Sequence, residues 1–251
     1  MSDPKSSLID PYYTSGRFLA SSSGWRDAAF KAAELGSLLK AYAKRFDVNL
    51  LKAADVGCGT GDTTLLLADT LTSLGYSVQV DGYDVHPDIE KKEGKANVTF
   101  HRQDFCAVEF DEPYDLVVLF DVIEHVPDPI SFLKSVASRS KLVGLHIPLD
   151  DSWFGWMRNL PHRNLSHPGH LVVLDTASSL NLLTFAGLRI QDFTITPVFR
   201  APSGSATKSQ KLLNPLRRLL YRISPYLVQK LLGGVSLMVI AQTPLGFETS
   251  K

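Results

Sequence analysis

The length, composition and charge of the chain limit what it can be. Its 251 residues, 44% of them hydrophobic, can bury one large core, and this length predicts a single domain spanning residues 1–251. The 26 basic and 26 acidic residues balance, so the overall charge gives no indication of a nucleic-acid partner. The chain has two cysteines, which lack metal-ligand spacing, and the N-terminus does not resemble a leader. No run of ~18 apolar residues occurs. These features favour a cytoplasmic protein.

Strands and helices are predicted to alternate along the first 150 residues. Residues 26–46 place apolar side chains at helical spacing, which predicts a helix, with its charged positions facing water, inside an N-terminal extension of residues 1–48. Asp62 is expected to cap the next helix. The predicted strands lie at 52–56, 77–85, 97–105, 114–121 and 141–149, and the intervening helices include 62–74 and 129–138. Strands joined by helical crossovers imply a parallel sheet.

The second half of the chain adds two strands and two insertions. Segment 150–175 is rich in Trp, His, Pro and Gly and is interpreted as a lid loop, because long irregular loops in compact domains are usually functional. A helix at 176–186 and strands at 188–196 and 235–242 follow. The prediction is an α/β fold with a doubly wound, mostly parallel seven-stranded sheet and helical insertions.

The insertion at 203–234 lies between the last two predicted strands and is strongly basic. No acidic residue occurs from Phe193 to Phe247, whereas seven basic residues do: Arg200, Lys208, Lys211, Arg217, Arg218, Arg222 and Lys230. Apolar residues every three or four positions predict an amphipathic helix at 210–232, bent or broken at Pro225: Leu212, Leu216, Leu219, Ile223, Leu227 and Leu231. Two roles stay open, a cover packed on the sheet or a contact with an anionic membrane surface.

The glycine-rich sequence AADVGCGTGD, residues 53–62, lies between a predicted strand and a predicted helix. Glycine lets a ligand approach the backbone closely, and a helix N-terminus offers N–H groups to an anionic ligand. The spacing is G-x-G-x-G and an acid, Asp55, precedes the first glycine, whereas the dinucleotide fingerprint is G-x-G-x-x-G. Both features disfavour NAD.

The sequence D-V-G-C-G-T-G-D resembles the first motif of class I S-adenosylmethionine-dependent methyltransferases. FDVIEHVPDP, residues 120–129, is similar to the motif after the fourth strand in ubiquinone-pathway and related small-molecule methyltransferases. The resemblance implies a Rossmann-like fold with S-adenosyl-L-methionine as cofactor. By position it implies that glycines hold the methionine end of the cofactor and that strand-end acids and their neighbours hold the rest: Asp55, Gly57, Gly59, Gly61, Asp84, Val85, Asp104, Phe105, Phe120 and Asp121.

In that family Asp84 would bind the ribose hydroxyls and Asp104 the adenine amino group. Asp55 would orient the turn or the cofactor's amino group, which Phe120 and Asp121 would also approach. Glycines that only pack a helix on a strand, and an acid that only anchors a loop, are the structural alternatives.

Three histidines are candidate bases if the acceptor is a hydroxyl, in the order His170, His125 and His167. The tract ending in HPGHL, residues 167–171, resembles a segment that faces the acceptor in many of these enzymes; the alternative for each histidine is a structural bond to backbone. Asp121, Glu124 and His125 resemble the E-x-x-E-H cluster that binds magnesium in small-RNA 2'-O-methyltransferases, and His167 or His170 could supply a fourth ligand. The first position departs, because it is Asp rather than Glu. No metal ligand is assigned.

The resemblance implies methyl transfer to a small-molecule or lipid-linked acceptor, to oxygen rather than carbon or nitrogen. Trp153, Phe154 and Trp156 are expected to line an apolar acceptor pocket or to fill the core under the lid. The alternative function is a non-catalytic S-adenosylmethionine-binding subunit or sensor. A lipid-linked acceptor would agree with a membrane contact through the 210–232 helix, and the oligomeric state stays open.

Overall fold

The computed structural model describes residues 25–45, 49–166, 168–201 and 208–248. Most of the predicted N-terminal extension lies outside these residues. The strands are β1 (Lys52–Val56), β2 (Gln79–Asp84), β3 (Val98–Arg102), β4 (Tyr114–Phe120), β5 (Ser140–Pro148), β6 (Arg189–Thr196) and β7 (Ser236–Gln242). The helices are α1 (Trp25–Ala43), α2 (Asp62–Ser73), α3 (Pro129–Ala137), α4 (Trp153–Met157), α5 (Leu160–Ser166), α6 (Thr176–Phe185), α7 (Lys208–Ile223), α8 (Pro225–Leu231) and α9 (Pro244–Glu248).

The seven strands form one sheet in the order β3-β2-β1-β4-β5-β7-β6. The first five strands are parallel, and β7 runs antiparallel to both β5 and β6. The chain moves outward from β1 in one direction, returns to β4 and continues in the other, so the strand order reverses between β1 and β4. Ligands bind at such a switch point in open α/β sheets, outside the carboxyl ends of the strands. The predicted fold class is confirmed.

The core has one apolar layer on each face of the sheet. Strand β4 shows why, because its side chains alternate: Val117 and Leu119 belong to one cluster, whereas Leu116, Val118 and Phe120 belong to the other. A strand covered on both faces needs this continuous apolar run, as the sequence of β4 predicted. The sheet is therefore buried through its centre and exposes its strand ends for binding.

Helix α1 packs against α2, β6 and β7, so the part of the N-terminal extension that is described belongs to the core. Leu35, Leu39 and Tyr42 are buried as their spacing predicted. The prediction that the charged positions of this helix face water was wrong for Lys31, whose side chain turns inward to Asp27 and Asp121. Asp27 and Lys31 are four residues apart, and paired charges at this spacing usually lie on the exposed face of a helix. The sequence therefore could not show that Lys31 points inward.

Two local predictions were wrong for reasons of chain geometry. The residue before α2 is Gly61, which has φ 76° and no side-chain cap, while Asp62 is the first helical residue and pairs with Lys92 at 2.7 Å. Segment 150–175, predicted to be irregular, contains the short helices α4 and α5. Helices of five and seven residues are too short to show a periodic pattern, so the sequence could not indicate them.

The basic insertion forms α7 and α8, separated at Ser224 immediately before Pro225, as the sequence predicted. Helix α7 packs inward through Leu220, Tyr221 and the buried Arg217. The Arg217 guanidinium donates to the carbonyl of Leu232 at 2.9 Å, and the Tyr221 hydroxyl donates to the carbonyl of Ile195. The insertion is thus fixed to the sheet. None of the helices among the described residues combines the length and the apolar character needed to cross a bilayer.

Candidate active site

A cavity of about 460 Å³ opens at the carboxyl ends of β1, β2 and β4. Its walls come from the glycine turn after β1, the turns after β2, β3 and β4, and the first turns of α3. This is the switch point of the sheet, where an α/β fold binds its ligand. Of the predicted site residues, the cavity is lined by Gly57, Asp84, Val85, Asp104, Phe105, Asp121 and His125.

The glycine turn needs its glycines for backbone conformation and for space. Gly57, Gly59 and Gly61 have φ values of 74°, 56° and 76°, in the left-handed region that other residues avoid. A Cβ atom on Gly61 would meet the Phe100 ring at 2.7 Å. Gly59 and Gly61 do not line the cavity themselves, so they shape the turn, whereas Gly57 forms part of the wall.

Asp55 lies under the glycine turn and does not line the cavity. Its Oδ2 accepts hydrogen bonds from the hydroxyls of Thr63 and Thr64, at 2.9 and 2.8 Å, and so ties β1 to the first turn of α2. Burial raises the pKa of Asp55 to about 6, and its Oδ1 has no hydrogen-bond partner. These contacts suit the predicted role of orienting the turn.

Asp84 and Asp104 stand at the ends of neighbouring strands and face the same cavity. The Asp84 carboxylate accepts hydrogen bonds from the backbone N–H of Gly59 at 2.7 Å and of His86 at 2.8 Å. The Asp104 carboxylate accepts from the N–H of Cys106 at 2.9 Å. Both acids therefore have fixed orientations before any ligand binds, which lowers the entropy that binding must overcome.

Phe105 and Phe120 make different contributions at the ends of β3 and β4. The Phe105 ring packs with Tyr83 at a centroid distance of 5.2 Å and forms part of the cavity wall. Phe120 turns its ring into the second core cluster, away from the cavity wall. A role for Phe120 in binding is thus restricted to its backbone.

Asp121 links the cavity to helix α1. This residue has φ 55°, its Oδ2 lies 2.6 Å from Lys31 Nζ, and its Oδ1 lies 2.5 Å from His146 Nδ1. Burial raises the pKa of Asp121, but the ion pair with Lys31 and the hydrogen bond with His146 outweigh burial and hold the pKa well below its usual range. Lys31 and His146 could not be found from the sequence, because neither belongs to a motif. His146 reaches Asp121 only because β5 pairs with β4.

Glu124, His125 and His170 form a cluster beside the cavity. Glu124 is only 1% exposed and neither of its carboxylate oxygens has a hydrogen-bond partner. Its Oε1 lies 3.9 Å from His125 Nε2 and 4.0 Å from His170 Nε2. Burial, followed by repulsion from Asp121, raises the pKa of Glu124 well above its usual range. A buried carboxyl group without donors is costly, which makes this cluster a functional candidate.

Each histidine of the cluster is oriented by an oxygen at its other nitrogen. His125 Nδ1 lies 3.0 Å from the Gly169 carbonyl, and His170 Nδ1 lies 2.6 Å from Asp150 Oδ2. In a neutral ring the proton resides on Nδ1 for these bonds, so Nε2 is the basic nitrogen and faces Glu124. His125 lines the cavity and His170 stands behind it. His167, the third candidate base, lies outside the described residues.

The same three side chains have the arrangement of metal ligands, with one donor atom each within 4.8 Å of the others. Asp121, the first residue of the sequence-based cluster, bonds instead to Lys31 and His146, and His170, one of the two candidates for a fourth ligand, lies with Glu124 and His125. Two imidazoles and a carboxylate are donors that zinc and related divalent metals prefer. Each ring also has an oxygen at its other nitrogen, as histidines that bind metals usually do. The donor set fits a metal, and the unpartnered Glu124 carboxylate supports that fit.

The aromatic residues of α4 neither fill the core nor line the cavity. Trp153 and Trp156 are 62% and 57% exposed, and Phe154 packs beneath Arg158 at 5.5 Å. The expectation that these side chains fill the core was wrong for Trp153 and Trp156, because α4 turns both outward.

A family of methyltransferase domains matches residues 29–192. The chain belongs to this family. Its membership confirms the predicted resemblance to methyltransferases.

Sequence relatives include ubiquinone biosynthesis O-methyltransferases. The one from Rickettsia bellii (strain OSU 85-389) is 31% identical over 105 residues, which are 40% of this chain and 42% of that protein. The one from Xanthomonas campestris pv. campestris (strain B100) is 29% identical over 137 residues, 50% of this chain and 55% of that protein. The chain thus spans about half the length of the curated relatives it matches.

Solved structures share the whole architecture. The N-methyltransferase NodS from Bradyrhizobium japonicum WM9, in complex with S-adenosyl-L-homocysteine, has a TM-score of 0.55 at 16% identity and covers 94% of this chain and 100% of its own. The magnesium protoporphyrin IX methyltransferase from Synechocystis PCC 6803 has a TM-score of 0.54 at 16% identity and covers 96% and 100%. At such identities the likeness describes the fold alone.

Proposed function

We propose that this protein transfers the methyl group of S-adenosyl-L-methionine to a hydroxyl oxygen of a small-molecule or lipid-linked acceptor. The observation that carries the proposal is the position of His125, which lines the same cavity as Asp84 and Asp104. The partial similarity to ubiquinone biosynthesis O-methyltransferases supports oxygen as the acceptor atom.

The chain would hold the cofactor with residues whose positions are already fixed. Asp84 would accept hydrogen bonds from the ribose, Asp104 from the adenine amino group, and Gly57 would pack against the methionine end. The cofactor supplies a methyl group bound to a sulfonium sulfur. In an in-line displacement the C–S bond breaks, and the neutral thioether is a good leaving group. The protein therefore needs chiefly to position the acceptor and to accept its proton.

His125 is the proposed base, because its ring borders the cavity while His170 lies behind it. The order differs from the one expected from sequence, in which His170 came first. Proton transfer would put the proton on His125 Nε2, next to the Glu124 carboxyl group. His170, fixed by Asp150, packs edge to face against His125 with centroids 5.0 Å apart and acts as a positioning residue.

A divalent metal held by Glu124, His125 and His170 is the second candidate for activating the hydroxyl. The favouring observation is the buried Glu124 carboxylate without donors. When bound, such a metal polarises a hydroxyl as a Lewis acid. His125 would then act as a ligand, and removal of the metal would abolish activity.

The test measures S-adenosyl-L-homocysteine formed from S-adenosyl-L-methionine with a lipid and metabolite extract as acceptor. Substitution of His125 by Ala is expected to lower the rate about 10²- to 10⁴-fold, the usual effect of a lost acid–base group, without changing cofactor affinity. The matched control is His162→Ala, because His162 is exposed on α5.

Two outcomes would separate the alternatives. Loss of activity in a chelator, with recovery on adding zinc or manganese, would replace the base mechanism by the metal mechanism. Cofactor binding without product, with every extract tested, would contradict the enzyme and favour the non-catalytic subunit or sensor.

A further inference from the structure

Large exposed apolar side chains are concentrated on one group of helices. Of the fourteen such residues among the described ones, seven lie on α7 and α8 and three on α4. They are Leu212, Leu216, Leu219, Ile223, Tyr226, Leu227 and Leu231, with Trp153, Trp156 and Met157. Scattered exposed apolar residues are ordinary, but a concentration of this kind indicates an interaction surface.

Helix α7 carries two apolar faces, and only one of them packs on the protein. Leu213, Leu220 and Tyr221 contribute to the inner side, where Leu220 and Tyr221 contact the core. The residues that repeat every three or four positions, from Leu212 to Ile223, point outward, and Ile223 is 67% exposed. Packing on the sheet therefore accounts for the inner side of α7 but not for the exposed outer stripe.

Helix α4 lies beside α8 and extends the exposed surface. The Gln229 side chain donates to the carbonyl of Asp151 at 2.9 Å, immediately before Ser152, whose hydroxyl caps α4. Lys230 pairs with Asp175 and lies 4.0 Å from Asp151, so these nearby acids have a basic partner. Helix α4, with the exposed Trp153 and Trp156, is consequently held next to α8 by bonds of the folded chain.

The charged residues of α7 and α8 have one sign. Arg218 and Arg222 are exposed beside the leucines of α7, and no acidic residue occurs from Phe193 to Phe247. An apolar stripe flanked by Arg and Lys, with Trp and Tyr nearby, has the composition of a helix lying in the interface of a bilayer. A second copy would bring these cations together with like charges, which opposes a two-fold contact.

We propose that α4, α7 and α8 form a membrane-docking face that binds an anionic lipid bilayer. The apolar stripe would enter the boundary between headgroups and acyl chains, while Arg218 and Arg222 contact lipid phosphates. This proposal goes beyond methyl transfer and stands on the surface alone. If both hold, the segment that carries Trp153 and His170 would place the active site close to lipid.

The test is flotation of the full chain with vesicles of phosphatidylcholine alone or of phosphatidylcholine with phosphatidylglycerol. Binding is expected to the anionic vesicles and to weaken in about 0.5 M salt, which screens charges beyond a few ångströms. The double variant Leu219→Glu/Ile223→Glu should bind roughly tenfold or more weakly, because a charge is unfavourable within the apolar boundary. Tryptophan emission should shift to the blue on binding.

The matched control is Phe185→Glu, an equally exposed apolar residue on α6 outside the docking face. Binding of S-adenosyl-L-homocysteine, measured in parallel, should be unchanged in all variants, which separates this proposal from the proposed function. Failure of the wild type to float with anionic vesicles would overturn the proposal. Sedimentation showing a dimer that Leu219→Glu/Ile223→Glu dissociates, without vesicle binding, would identify the face as a contact between copies.

Discussion

Asp84 can perform two tasks with one carboxylate. It already accepts hydrogen bonds from the N–H groups of Gly59 and His86, which hold the glycine turn against the end of β2. A carboxylate has about four acceptor positions, two on each oxygen, and its two oxygens can accept both hydroxyls of a ribose. The same side chain would therefore shape the turn and recognise the cofactor.

Replacing Asp84 by Ala is expected to weaken the binding of S-adenosyl-L-homocysteine at least about 100-fold, since two hydrogen bonds to a charged acceptor are lost. Isothermal calorimetry measures the affinity, and circular dichroism checks that the variant is folded. Asp88→Ala, which removes an exposed acid four residues further on, is the control. An unchanged affinity in folded Asp84→Ala would remove the ribose assignment.

Motif residues could be predicted from sequence, whereas their partners could not. The glycine turn and the acids after β2 and β3 were located because local spacing places them at strand ends. Lys31 and His146 reach Asp121 from α1 and β5, and this contact depends on tertiary packing across the sheet. Glu124 was placed near the site, but its lack of donors is a property of burial that spacing cannot show.

Helix α1 acts on the site through a partly buried ion pair. Lys31 Nζ lies 2.6 Å from Asp121, and the nearby Asp27 lies on the same helix. Removing one partner of such a pair leaves a buried charge with less compensation. The position of α1 and the conformation of Asp121 are thereby coupled.

Substitution of Lys31 by Met is expected to lower the free energy of unfolding by roughly 1–3 kcal/mol and to weaken binding of S-adenosyl-L-homocysteine. Urea unfolding and calorimetry measure the two effects. The control is Lys40→Met, because Lys40 is exposed on the same helix. If both variants behave alike, the ion pair has no special role.

The orientation of a helix with two apolar faces is harder to predict than its existence. Sequence analysis located the helix at 210–232 and its break at Pro225, since both depend on local properties. It could not decide which apolar stripe contacts the sheet, because the stripe through Leu213 and Leu220 competes with the one through Leu212 and Leu216. The tertiary structure chose the first and exposed the second.

At the scale of the whole molecule, the sheet links ligand binding at the cavity to the stability of the fold. The cavity is formed by the ends of strands whose bodies are the two core layers, so a ligand that bridges these ends stabilises the entire fold. Binding to the native state alone adds free energy of unfolding by mass action. Cofactor identity can therefore be tested without knowing the acceptor.

S-Adenosyl-L-homocysteine at about 100 times its dissociation constant should add ~2.7 kcal/mol, which raises the melting temperature by roughly 5–11 °C for a chain of this size. NAD at the same concentration should leave it unchanged, because the G-x-G-x-G turn departs from the dinucleotide fingerprint. Differential scanning calorimetry measures both shifts, and the Asp84→Ala variant should lose the first. Both ligands would bind at the same strand ends, so the one that stabilises the protein identifies the ligand of the cavity. Stabilisation by NAD but not by S-adenosyl-L-homocysteine would therefore contradict the cofactor assignment.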